Sequence, residues 1–253
     1  MPAAILARSV LLEARRGGLP WLAAASLGLS LALAAFLATV ALTERDALQA
    51  ALVAAVLRAC AVFLIAVQVT SSTLREIQDK GLELALSLPL SRPTHYLGRL
   101  AGFGVLGAML AAVCSAPLLA WAAPLQVGAW ALSLGLELVL VAAAALFFAT
   151  TLASTVGSLA ATLGLYVLAR AMPAIQAISA LPLAEETWAG LLARRSVDGI
   201  AFLLPRLGTA TSSEWLLYGP PAGGEYAGVL AALAIYAVLL TTAGLVDFQR
   251  RSI

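Results

Sequence analysis

The sequence predicts an all-α, polytopic membrane protein with six transmembrane helices, and three observations predict it. Of its 253 residues 62% are hydrophobic and only 11% charged, about half the charged share of a soluble domain. Near-continuous apolar runs of about 20 residues recur along the chain, each long enough to cross a hydrocarbon core of about 30 Å. The charges gather mostly between those runs. No alternating ten-residue pattern supports a β-barrel.

The elements follow in order. In residues 1–18, Leu6, Val10 and Glu13/Ala14 keep helical spacing, and Arg8, Arg15 and Arg16 add positive charge. Gly17, Gly18 and Pro20 then interrupt the helix. This predicts an amphipathic helix lying on the membrane surface. Span 1 covers about Leu19–Leu42; it is too long for the apolar part of a cleavable signal and is expected to stay. A polar turn, Thr43–Asp46, leads to span 2 at Ala47–Ser72. A charged stretch separates it from span 3, Leu100–Ala123. Pro124, Leu125 and Gln126 make the next turn, and span 4 covers Val127–Ala149. The Thr-, Ser- and Gly-rich run Thr150–Ser158 predicts a tight turn into span 5, which reaches about Ala174 with Pro173 near its end. A mixed outer segment, 182–225, precedes span 6 at Tyr226–Val246. In that segment Glu185 and Glu186 lead, and Arg194 and Arg195 close, a stretch that suits a helix dipole. Trp188, Leu191 and Leu192 share a face there, which predicts a helix half-embedded in the outer interface or a surface for a periplasmic partner. The chain reads as one transmembrane domain, 1–253.

Six spans put both termini on one side. With the N-terminus inside, the inner segments hold Arg8, Arg15, Arg16, Arg75, Lys80, Arg92, Arg99, Arg250 and Arg251; the outer ones hold Arg45, Arg194, Arg195 and Arg206. The positive-inside rule therefore places both termini in the cytoplasm. The Ala-, Leu-, Gly- and Arg-rich composition, without asparagine and with Lys80 as the only lysine, suits a GC-rich bacterial gene. The expected location is a bacterial inner membrane, with lipid as a partner along the spans.

Several function classes lose support. A net charge of +2 leaves no footprint for nucleic acid. His95 is the only histidine, so it builds neither a triad nor a metal site by itself. Cys60 and Cys114 sit in apolar runs, where the bland reading is a small buried hydrophobe. No zinc-protease, nucleophile-elbow or C-x-x-C motif occurs. No P-loop is present either, because Lys80 is followed by Gly81 and Leu82. The chain is not read as an enzyme, and no cofactor is expected on it.

The stretch Ser71–Arg99 carries the functional signal. On a helix from Thr73 to Leu88, within a segment ending at Pro89, Leu74, Ile77, Gly81, Leu84 and Leu88 share one face. Glu76, Asp79, Lys80 and Glu83 share the other. Pro89 and Pro93 stop the helix, and Pro93 suits the first turn of the next one. A solvated connector is the plain reading of such a helix. Glu76, Gly81, Glu83, the leucines and Leu88-Pro89-Leu90-Ser91-Arg92 resemble the coupling segment of type-2 ATP-binding-cassette (ABC-2) permeases. Leu204-Pro205-Arg206 and Glu214-Trp215-Leu216-Leu217-Tyr218-Gly219 are similar to sequence found before the last span of some members. The usual Gly-Thr pair is Gly81-Leu82 here, a departure from the family pattern. The resemblance implies a coupling helix over 73–89 that docks on a cytoplasmic P-loop ATPase through Glu76, Asp79, Lys80, Glu83 and Arg92. It further implies a homodimer with two ATPase copies, ATP and magnesium on those partners, and export or extrusion. Two other readings stay open: a non-transporting subunit that transmits ATPase motion to an extracytoplasmic partner, and a secondary transporter with no ATPase.

Charge inside a span defaults to a functional hypothesis. Arg58 in span 2 and Glu137 in span 4 lie at similar depth, which admits an ion pair, a polar patch on a translocation path, or no contact. Arg170, read near the outer end of span 5, is expected to snorkel to the interface.

Overall fold

A computed structural model of the chain describes residues 2–40, 45–79, 92–179 and 188–250. The described residues are helical or connecting, with no strand among them. Among the described residues six helices are long and apolar enough to cross a membrane.

Helix α1 (Pro2–Arg16) leads through a turn at Gly18, whose φ of 85° suits glycine, into α2 (Leu19–Val40). Pro20 falls in the first turn of α2, where its missing N–H costs nothing. Helix α3 (Arg45–Gln78) is 34 residues, about 51 Å, without a break. Helix α4 (Arg92–Ser115) starts with Pro93 in its first turn and ends in a 3₁₀ turn, Ala116–Ala120. Pro124 opens α5 (Pro124–Leu152), where Gln126 Oε1 accepts the Ala123 N–H at 3.2 Å. Ala153, at φ 48°, and Ser154 turn the chain into α6 (Thr155–Ser179). Then come α7 (Trp188–Leu203), the single turn α8 (Trp215–Tyr218) and α9 (Gly223–Arg250).

The hub is α5, which packs against α3, α4, α6 and α9. Its run Ala142–Ala145 is fully buried, and such small side chains let neighbouring helices approach closely. Where α4 crosses it, a Cβ on Gly107 would come within 3.2 Å of Leu138 Cβ. Val53, Leu57, Ala61 and Ile65 of α3, Phe103 and Leu110 of α4, and Trp130, Leu134 and Leu138 of α5 form the main core. Helix α1 lies on α4 so closely that a Cβ on Gly102 would sit 2.9 Å from Ala7 Cα. By contrast α2 and α9 expose Leu29, Phe36, Ile235 and Val238, the surface a bilayer would cover.

Contacts sort the helix ends. Glu13 of α1, Ser72 near the end of α3, Arg99 near the start of α4 and Phe248 near the end of α9 meet at one end of the bundle, here termed proximal. The opposite, distal end carries α7 and α8. Several boundaries differ from expectation: Pro124–Gln126, read as a turn, open α5, and the expected turn Thr150–Ser158 shrinks to Ala153 and Ser154. The second span does not stop at Ser72: Thr73–Gln78 continue α3, because neither glycine nor proline interrupts 45–79. The fifth does not stop near Pro173; α6 continues to Ser179. Residues 80–91, with Lys80, Glu83 and Pro89 of the expected coupling helix, lie outside the described residues, as do Glu185 and Glu186.

Candidate functional site

Two polar clusters interrupt the apolar bundle. The first is central. After α7, residues 204–211 turn inward, and Leu207, Ala210 and Thr211 are completely buried. Ser133 lies nine residues from the start of α5, about 14 Å in, and its hydroxyl is 3.0 Å from the Thr211 hydroxyl. Non-helical backbone at this depth is tolerable only where the surrounding protein satisfies it. The Thr211 N–H donates to Ser133 Oγ at 3.1 Å, and Arg58 of α3 donates to the Thr211 carbonyl at 2.6 Å. Arg170 of α6 donates to the carbonyls of Leu207 and Ala210, each at 2.9 Å. Thr211 has a φ of 49°, a left-handed conformation that strains a β-branched residue. Those hydrogen bonds hold it there. Gly208 faces Pro173 of α6 with no room for a Cβ.

Glu137 of α5 is completely buried beside this segment. Its Oε1 accepts the Tyr166 hydroxyl at 2.8 Å and lies 3.5 Å from Arg170 Nη1. Its Oε2 has no hydrogen-bond partner among the described residues. Arg58 and Glu137 therefore share one cluster without a direct ion pair; Arg170 is the cation paired with Glu137. Nor does Arg170 snorkel outward. The longer α6 puts it nine residues from the helix end, so it turns inward to three oxygen acceptors. The cluster binds backbone carbonyls and a carboxylate around one inserted segment. It orients no nucleophile, and among the described residues no group of His, Cys, Asp and Glu converges as a metal site.

The second cluster ties the proximal ends together. Glu76 pairs with Arg99, and its Oε1 lies 3.4 Å from His95 Nε2. Arg99 donates to Ser72 Oγ at 2.8 Å, and Ser72 in turn donates to Glu13 Oε2 at 2.7 Å. Three helices are joined: α1, α3 and α4. His95 and Tyr96 also meet the Phe248 ring of α9. Ser72 and Glu76 are four residues apart on α3, so they present one stripe to α4. This corrects the placement of Glu76 on an outward face with Asp79. Asp79 itself is exposed, as are Arg75 and Gln78, and Arg92 is half-buried at the start of α4. Cys60 and Cys114 are free thiols.

Sequence reasoning missed Tyr166, Ser133, Thr211, Arg99 and Glu13 as network members. Tyr166 and Arg170 had a usable signal: they are four residues apart on one face of an otherwise apolar helix. Thr211 had none, since its role depends on backbone groups. The fold and its buried charges fit the class of multi-pass helical membrane proteins. No protein-family model matches the chain, and no curated protein matches it.

Proposed function

We propose that the chain is the membrane-spanning permease subunit of an ATP-driven ABC-2-type exporter. It works as a homodimer with two cytoplasmic P-loop ATPase subunits, which carry the ATP and magnesium. It resides in a bacterial inner membrane with both termini cytoplasmic. The observation that carries this reading is the shared address of three features. Helix α1, the C-terminal end of α9 and both flanks of the charged stretch 80–91 meet at the proximal end.

Arg8, Arg15, Arg16, Arg75, Arg92, Arg99 and Arg250 also belong to that end, which supports a cytoplasmic side. Helix α1 lies along the inner interface, braced on α4. The ATPase contacts the exposed end of α3 and the residues that follow it: Asp79, Lys80 and Glu83, with Arg92 beyond. Glu76 braces this end from within, so reversing its charge would disturb the bundle as well as any docking.

Purification of the tagged protein in mild detergent tests the reading. A P-loop ATPase is expected to co-purify with the wild type. The Asp79→Arg, Lys80→Glu, Glu83→Arg triple variant is expected to insert normally and lose it. A correctly inserted wild-type protein that never retains such an ATPase from its native membrane would sink the proposal.

A further inference from the structure

Between α1, α2 and α4 runs an open groove of about 600 Å³. Leu19, Ala23 and Leu27 of α2, four residues apart, line one wall; Leu106, Leu110 and Val113 of α4 line the other. The α2 stripe rises about 12 Å along the helix. Arg8 and Arg15 stand at the α1 side of the groove, one heptad apart on the same stripe of that helix, and both side chains are exposed. Neither forms a salt bridge among the described residues.

We propose that this groove binds an anionic phospholipid from the leaflet nearest α1. The phosphate sits on Arg8 and Arg15, and one acyl chain lies between α2 and α4. Charge selects the occupant. Two arginines in a groove whose lining holds no carboxylate favour an anionic headgroup, Glu13 of the same helix being turned to Ser72 instead, and basic pockets between membrane helices recognise such groups. A zwitterionic headgroup would bring its own cation beside them. A second copy of the chain fits less well: apart from Asp79, the exposed acidic side chains among the described residues (Asp46, Asp198, Glu214, Glu225) belong to the distal half. The inference rests on the bundle standing in a bilayer and is independent of the export reading.

Native mass spectrometry of the protein released from nanodiscs of equal phosphatidylglycerol and phosphatidylcholine tests it. Wild type is expected to retain phosphatidylglycerol in excess. Each of Arg8→Ala and Arg15→Ala should lower that excess about fivefold, the factor for about 1 kcal/mol per basic residue. Arg8→Lys with Arg15→Lys should keep it. Arg16→Ala, on the same helix but outside the groove, should match wild type. Ala23→Phe, which fills the groove without changing charge, should reduce bound lipid of either kind. Equal retention of the two lipids by wild type, or an excess untouched by the double alanine variant, overturns the proposal. So does a lipid-free dimer cross-linked through Leu27→Cys.

Discussion

The two polar clusters solve different problems with the same side chain. At the proximal end, Arg99 joins helices to one another: its acceptors are the side chains of Glu76 and Ser72. In the centre, Arg58 and Arg170 chiefly join helices to a loop, and their acceptors include the carbonyls of Leu207, Ala210 and Thr211. Side-chain acceptors can move with their helices, so the proximal cluster can rearrange if α3 and α4 shift. Carbonyl acceptors are fixed by the path of the chain. The central cluster therefore locks one conformation of the inserted segment, while the proximal one tolerates adjustment.

The sharpest way to break that contrast is Arg170→Leu. It strips a donor from two buried carbonyls and leaves Glu137 without its cation, a loss of about 3–5 kcal/mol. Thermal unfolding in detergent should report it, and limited proteolysis should show cleavage within 204–214. Arg99→Ala should cost less, about 2–3 kcal/mol. Arg99→Lys should recover part of that loss, whereas Arg170→Lys should recover little, because all three acceptors are reached from Nη1 and the shorter lysine stem stops one bond short of that position. Thr211 separates strain from bonding. Thr211→Val keeps the unfavourable φ and loses the hydroxyl; Thr211→Gly loses the hydroxyl and relieves the φ. The glycine variant should be the more stable of the two by about 1–3 kcal/mol in the same unfolding assay. Asp79→Arg, outside both clusters, should shift stability by no more than about 0.5 kcal/mol.

Much of the bundle was legible in the sequence, because long apolar runs, with breaks such as Gly17-Gly18 and a helix-starting Pro93 between them, state where helices lie; Pro124, read as part of a turn, in fact opens α5. The helix ends were less legible. Ser71 and Ser72 looked like a boundary, yet Ser71 Oγ bonds back to the Gln68 carbonyl at 3.3 Å and Ser72 bonds to Glu13, so α3 continues past them. Pro173 looked like a stop, but α6 runs six residues further, and that extra length carried Arg170 inward. The common depth of Arg58 and Glu137 was readable from their positions. What joins them was not, since a segment 74 residues beyond Glu137 supplies it through backbone atoms that carry no sequence signature.

The unbroken course of α3 has a mechanical corollary. Arg58 and Gln78 lie 20 residues apart on one helix, about 30 Å, with no glycine or proline between them to absorb bending. The same rod ends at Gln78, beside Asp79, and grips Thr211 through Arg58. Any tilt of its proximal tip would therefore load the Arg58 hydrogen bond to the Thr211 carbonyl, the contact by which α3 holds the inserted segment.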